Sequence, residues 1–440
     1  MQQRVYDESG RQDIQRVANR FKQVRELSEK QCAPLLVEDY GLQALPETSP
    51  AKWHLAHTTW FFETFLLKPH LKNYQPLNPR YEYLFNSYYN GVGSQYPRPQ
   101  RHLLSRPSVE EVYAYRHYVN DAMHDLLSNE KLCTENVINN IVLGCHHEQQ
   151  HQELFFTDLK YCWFQNPLYP VYSEYGAAKE STAQVKLHTE NDWLELTPGL
   201  HQIGFNQGEK KSVIERFCFD NELPLHKQFL QDASISRYLV SNGDYLNFIE
   251  DDGYTRSEFW LSDGWFHLQK NNGKHSPLYW VKQDGQWFEY TLRGIQPLNL
   301  ALPVCHLSAY EADAFARWKG CRLPTEFEWE VFANQYSELD ATGNIGQFLE
   351  SELFHPDSES GNTPVAMGKL WQWTSSAYSP YPGYQVEKGA IGEYNGKFMC
   401  NQLVLRGGSC VTSKSHYRHS YRNFFYPPDQ WQFTGLRLAK

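Results

Sequence analysis

The 440-residue sequence has no run of about 18 or more apolar residues, so it carries no candidate membrane-spanning helix. It also lacks a long basic block, and its formal charge is −10. Phosphate binding needs a positive face, so nucleic acid is excluded as the main partner. Cysteine is sparse and unpatterned: nine residues, an odd number, with no regular spacing. A disulfide framework is therefore not expected, and the polar stretch Met1 to Asp7 has none of the plan of a secretory signal. The expectation is a reduced, cytoplasmic protein. Internal repeats and low-complexity tracts are missing too.

What is present is apolar and aromatic material, 41% and 15% of residues. That favours packed cores and ring-lined clefts over disorder. The length suggests two or three domains. Texture divides the chain into a helical part, 1–180, and a part of short strands and long loops, 181–440.

In the first part, Ile14, Val17, Phe21, Val24 and Leu27 recur at three- and four-residue steps and predict a helix over 12–31. Ser49-Pro50 has the order of an N-cap and first turn for a helix running to about Leu67. Ser108 with Glu111 predicts a capping box and a helix ending near Ser128. Thr134 predicts the cap of a fourth helix, from Glu135 to about Phe164. Four such helices make a bundle, a scaffold that builds metal sites from inward side chains. The aromatic stretch from Tyr83 to Arg106 is long enough to suggest a functional loop. Near 166–178 the helical period breaks. The second part reads as α+β, with short helices over 311–319 and 325–334.

The fourth helix carries His147-Glu148-Gln149-Gln150-His151. Residues four apart share a helix face, so two imidazoles aim at one point, a metal clamp. The string also fits H-E-x-x-H, with Glu148 as the base of a zinc hydrolase. The extended protease form needs a glycine and a third histidine, and Leu154, Phe155 and Phe156 stand there instead. A third ligand is available on the second helix. His57 shares a face with Phe61 and Phe65, and His54 lies one turn away. Three histidines with open positions suit zinc or ferrous iron; spacing does not choose between them.

Taken in order, His57 in His54-Leu55-Ala56-His57, the His147–Glu153 string, Arg406-Gly407-Gly408-Ser409 and Tyr421-Arg422-Asn423 resemble the ergothioneine-pathway sulfoxide synthases. The resemblance covers nearly the whole chain. It implies a DinB-like four-helix bundle followed by a domain like the formylglycine-generating enzymes, of C-type-lectin fold, with the cleft between them. It implies Fe(II) held by His57, His147 and His151. It further implies O2-dependent joining of a cysteine-type thiol to the imidazole of hercynine (Nα-trimethylhistidine), giving a sulfoxide. Close alternatives are a selenoneine synthase, forming the C–Se analogue from a selenosugar, and an enzyme using unmethylated histidine. A non-catalytic metal- or ligand-binding protein is the alternative of another class.

Further residues gain roles from the resemblance. Gln150 lies three residues after His147, where its amide can face the same cavity, and the family pattern makes it a partner of the substrate imidazole. Tyr88 and Tyr89 match the branch in which a loop tyrosine donates a proton near iron. The alternative branch draws that tyrosine from the C-terminal part, where Tyr378, Tyr381, Tyr384 and Tyr394 stand. Arg98 and Arg101 have the chemistry to grip a carboxylate bidentately. Asn423 would bond the hercynine carboxylate, and the rings of Phe424 and Phe425 suit its trimethylammonium. Members using γ-glutamylcysteine carry Asp where Phe425 stands, which favours free cysteine here. The motifs Leu323–Glu330 and Trp371–Thr374 match the formylglycine-generating fold, yet Thr412 and Tyr417 occupy the places of its two active cysteines. Cys410 is expected to be a small buried apolar group.

Overall fold

The computed structural model describes residues 8–173, 192–209, 212–270, 275–336, 346–358, 367–388, 392 and 394–440. They form two compact units. The first comprises Met1–Gln165 together with Asn206–Cys218 and Val386–Tyr394; the second comprises Asn166–Phe205, Phe219–Gln385 and Asn395–Lys440. Texture alone suggests one cut near residue 180. The structure makes a less simple division, because two later segments fold with the helices.

Four long helices build the first unit: α1 (Glu8–Cys32), α2 (Ala51–Phe62), α3 (Val109–Ser128) and α4 (Glu135–Phe164). Local capping chemistry sets two of their starts. Ser108 Oγ accepts from Glu111 N while Glu111 returns a bond to Ser108 N, and Thr134 Oγ1 accepts from Val137 N. The start of α2 differs from expectation by one residue. Pro50 is the N-cap, in extended conformation, and Ser49 is left outside with its N–H donated to Asp158 Oδ2 at 2.8 Å. Beyond Phe62 the helix widens into a π-helical turn, Glu63–Leu67, and ends at His70. The Tyr83–Arg106 stretch includes the end of a short helix, Tyr81–Phe85, and a 3-10 turn, Arg98–Leu103.

One buried carboxylate ties the bundle together. Glu148 on α4 accepts from Arg25 Nη1 at 2.9 Å and Ser28 Oγ at 2.6 Å on α1, and from Arg116 Nη2 at 2.5 Å on α3. Arg25 reaches on to Thr59 Oγ1 of α2 at 2.9 Å. A buried charge is tolerable only when paired and hydrogen-bonded in this way. Gly144 sets how closely α4 crosses α2: a Cβ there would lie 2.6 Å from Phe62 Cε1.

The second unit is α+β. Its strands are β1 (Trp193–Leu196), β2 (Gly199–Ile203), β3 (His226–Leu230), β4 (Ala233–Ser236), β5 (Trp280–Gln283), β6 (Gln286–Thr291), β7 (Gly294–Pro297), β8 (Trp371–Ala377), β9 (Leu403–Arg406), β10 (Asn423–Phe425) and β11 (Thr434–Gly435). A four-stranded sheet runs β10-β9-β8-β11, antiparallel except for the parallel β11–β8 pair. The pairs β1–β4 and β2–β3 and the meander β5-β6-β7 are antiparallel. Helices α5 (Asn242–Glu250), α6 (Ser262–Lys270), α7 (Ala309–Trp318) and α8 (Glu326–Tyr336) complete it. Among the described residues no helix is long and apolar enough to cross a membrane.

The motif residues of this unit are structural. Trp329 on α8 is buried with Leu194, Ile203, Ile235 and Phe348, and its Nε1 donates to Gln372 Oε1 at 2.9 Å. Trp373 Nε1 donates to Leu307 O at 2.8 Å. Arg406 on β9 pairs with Glu330, and Arg422 forks onto both oxygens of Glu326 at 2.8 and 3.0 Å. Gly408 turns at φ 75°, with the rings of Tyr417 and Phe348 closing over it. Thr412 is buried, its hydroxyl accepting from Ser409 N at 2.8 Å. Cys410 is buried, and all nine cysteines are free thiols.

Candidate metal centre

The helical unit brings three imidazoles to one point. His57 projects from α2, and His147 and His151 from α4. Their ring centroids form a nearly equilateral triangle, 4.9, 4.7 and 4.7 Å on its sides. One potential ligand atom from each lies within 4.8 Å of the others. His57 Nε2 and His147 Nε2 are 3.2 Å apart. Two nitrogens bound at about 2.1 Å to one ion at right angles lie about 3.0 Å apart, so this pair already has a chelating separation.

The remaining ring nitrogens decide which lone pairs face inward. His57 Nδ1 meets the carbonyl of Phe85 at 2.6 Å, which can only accept, so Nδ1 carries the proton and Nε2 is left bare. His151 Nδ1 meets His54 Nδ1 at 2.8 Å, and His54 Nε2 meets Asp158 Oδ2 at 3.1 Å. Carbonyl and carboxylate partners behind the ring are the usual environment of metal-binding histidines. His147 Nδ1 is buried with no hydrogen-bond partner among the described residues.

Electrostatics keep these rings neutral. Burial, then His147, holds His57 well below the usual imidazole range. Burial brings His147 down to about 3, with Glu148 acting weakly the other way. Burial, followed by His147 and His57, lowers His151 as well. Three uncharged nitrogen donors in a protein-enclosed site fit a divalent transition metal. His57 is clamped between two indoles, Trp53 at 4.5 Å and Trp60 at 5.5 Å, with interplanar angles of 12° and 13°. Its ring has little freedom to turn away.

The structure assigns Glu148 to the bundle and not to this centre. Both its oxygens are engaged by Arg25, Arg116 and Ser28, so Glu148 is not available as the general base of a zinc hydrolase.

The other sequence candidates divide. Gln150 and Tyr394 meet: the Tyr394 hydroxyl hydrogen-bonds Gln150 Oε1, and the Tyr394 ring lies 5.8 Å from His147 and 6.3 Å from Tyr88. Tyr88 stacks on Tyr89 at 4.7 Å, and burial pushes its phenol up. Tyr89 sits in the core against Trp60, Phe65 and Phe61. Arg101 is buried over Trp53 and donates to Ser49 Oγ at 2.8 Å and Ser87 Oγ at 3.1 Å. It has no ion pair with any described residue, and its Nε has no hydrogen-bond partner among them. Arg98 is exposed, with its guanidinium on the carbonyl of Glu47. Asn423, Phe424 and Phe425 belong to the second unit, on β10. There Phe424 stacks on Tyr378 at 4.0 Å, Phe425 meets Trp431 edge-on at 5.9 Å, and Asn423 Oδ1 accepts from Phe424 N.

Asp158 is absent from the sequence reading. Its signal was available: it lies seven residues after His151, two helical turns, on the same face.

Comparison with known proteins adds the family. A model described as "Sulfatase-modifying factor enzyme 1-like domain" matches residues 178–440, more than half of the chain. The chain belongs to this family. Two relatives are named hercynine oxygenase, from Mycobacterium tuberculosis and Mycolicibacterium smegmatis. The first is 31% identical over 246 residues, 51% of this chain and 56% of that protein; the second is 29% identical over 249 residues, 52% and 57%. A third, ergothioneine biosynthesis protein 1 of Schizosaccharomyces pombe, is 27% identical over 271 residues, 59% of this chain and 32% of that protein. The chain thus spans about half the length, or less, of these curated relatives. Their names bear out the resemblance to the ergothioneine-pathway enzymes, and the family match bears out a C-terminal formylglycine-generating-enzyme-like domain.

Proposed function

We propose that this protein is an Fe(II)- and O2-dependent sulfoxide synthase that joins cysteine to the imidazole of hercynine in ergothioneine biosynthesis. The observation that carries this reading is the triangle of His57, His147 and His151, with Nδ1 of His57 held by the Phe85 carbonyl so that its bare Nε2 faces His147. The names of the relatives supply the pathway.

Ferrous iron, when bound by the three histidines, supplies open positions for a thiolate and dioxygen. The chain's own groups would do the rest. Arg101, a buried cation with no ion-pair partner among the described residues, receives the cysteine carboxylate, with Arg98 nearby in sequence on the same turn. Gln150 orients the substrate imidazole, and Tyr394, hydrogen-bonded to it, holds a proton at its phenol oxygen beside His147. Of the phenols considered, Tyr394 has the best claim, with Tyr88 behind it; Tyr89 is a core ring. Asn423 is proposed to bond the hercynine carboxylate, and Phe424 and Phe425 to offer π faces to the trimethylammonium.

The test is direct. The full chain is loaded anaerobically with Fe(II), given hercynine and cysteine, and exposed to oxygen. Mass spectrometry should find the hercynylcysteine sulfoxide with matching oxygen uptake. Metal binding without oxygen uptake or product would leave a non-catalytic binder. With Phe425 where a γ-glutamyl-using enzyme has Asp, cysteine should outperform γ-glutamylcysteine in kcat/KM, and the reverse order would refute that assignment.

A further inference from the structure

By its position one turn from His57 on α2, His54 could serve as a metal ligand, but the structure gives it another place. Its two nitrogens are both occupied, Nδ1 by His151 Nδ1 at 2.8 Å and Nε2 by Asp158 Oδ2 at 3.1 Å. His54 and Asp158 are held by more than this chain of contacts. His54 is buried within α2, one turn before His57, and its ring meets Trp53 edge-on. Asp158 is buried on α4 and fixed by the N–H of Ser49 at 2.8 Å, immediately before α2 begins. The two helices that carry the metal triangle are therefore also joined behind it.

The order of partners gives the chain a direction. An ionised carboxylate only accepts, so the proton between Asp158 and His54 belongs to His54 Nε2. A neutral His54 then has its lone pair at Nδ1. The short contact to His151 Nδ1 must be made by a proton on His151. That leaves the lone pair of His151 on Nε2.

We propose that His54 is a positioning residue which, backed by Asp158, fixes His151 as its Nδ1–H tautomer and so presents Nε2 to the metal. The inference rests on the three-histidine metal reading and adds to it a residue two steps removed from the ion. Partners of this kind orient the ligand and raise its basicity, and their loss usually costs tenfold to a hundredfold in metal affinity.

The experiment compares two replacements in the full chain. In His54→Gln the amide can still accept from His151 and donate to Asp158; in His54→Phe the ring volume is kept and both bonds are lost. Fe(II) dissociation constants are measured anaerobically by competition with a chromophoric chelator, alongside the thermal midpoints of the metal-free proteins. The expected result is a weakening of about tenfold to a hundredfold for His54→Phe, against at most a few-fold for His54→Gln, at matched midpoints. Equal affinity of His54→Phe and wild type overturns the proposal, as does an equal loss in both variants. Ring ¹⁵N shifts of the metal-free wild type provide an independent reading, with His151 assigned by substitution. A proton on Nδ1 is expected, and a proton on Nε2 alone overturns the proposal even if His54→Phe fails to fold. Failure of the wild type to bind Fe(II) would instead sink the metal reading, and the ¹⁵N result would still judge the tautomer.

Discussion

The guanidinium of Arg101 lies flat over the indole of Trp53, 3.4 Å from the ring centroid. Trp53 in turn stacks on His57, so a cation, an indole and an imidazole of the histidine triangle form one pile. Arg101 acts on the centre by charge as well: its field helps hold His57 and His151 below the ordinary imidazole range, after burial and the neighbouring histidines. The same residue, proposed to receive the cysteine carboxylate, thus also helps to keep the imidazoles neutral.

Replacing Arg101 should separate these roles. Arg101→Ala is expected to raise KM for cysteine by tenfold or more, the scale of a lost charge-assisted hydrogen bond. Arg101→Lys should restore little, because an ammonium neither forks nor stacks as a guanidinium does. Steady-state kinetics over a cysteine series check this. An unchanged KM in Arg101→Ala would remove Arg101 from thiol binding.

Three phenols can be ranked by one substitution series. Tyr394→Phe should lower sulfoxide formation by about 10²-fold or more, the range of a lost proton donor. Tyr88→Phe should have a smaller effect, and Tyr89→Phe should change stability more than turnover. Product quantification after single-turnover mixing reads all three. Wild-type yield from Tyr394→Phe would return the role to the loop pair.

Acid should loosen the metal-free protein in two overlapping stages. His147 titrates at about 3 in the fold and near 6.5 when unfolded, so from pH 6.5 downward the unfolded state binds the proton first and stability falls. Glu148 follows. Burial raises its carboxyl, but Arg116 and Arg25 more than reverse this and hold it at about 2, against 4.5 unfolded. Its contribution is fully present above pH 4.5 and is lost as pH falls toward 2. Urea unfolding across pH 7 to 3 should show a steady decline, and a flat profile would contradict it.

Glu148→Gln should cost about 3 kcal/mol or more, because it leaves Arg25 buried without a paired counter-charge and Arg116 with Glu29 alone. Fe(II) affinity, measured where the variant remains folded, should change only a few-fold. A large loss of metal with little loss of stability would put Glu148 in the centre after all.

Legibility from sequence followed locality. The bounds of α4 were readable to the residue at its start because Thr134 caps within one turn, and the α3 box was equally local. The order Ser49-Pro50 suggests a cap at Ser49, but Ser49 is claimed by Asp158, 109 residues on, and no pattern near Ser49 announces that. The His147–His151 clamp is visible in helical spacing, whereas α2 offers both His54 and His57, and only the family resemblance singles out His57. What His54 does instead depends on a ring contact across helices and was hidden. Tyr394 stood among four tyrosines with nothing to single it out, since its partner Gln150 is 244 residues away.

The helical unit is not continuous in the chain. Phe217, which stacks on His146 at 4.0 Å, and Tyr394 both reach it from segments far downstream of α4. During synthesis the three histidines emerge long before those two rings. Until residue 394 has left the ribosome, a nascent chain holds the histidine triangle without the Tyr394 ring that lies beside His147. A gene cut after α4 would preserve that immature state permanently.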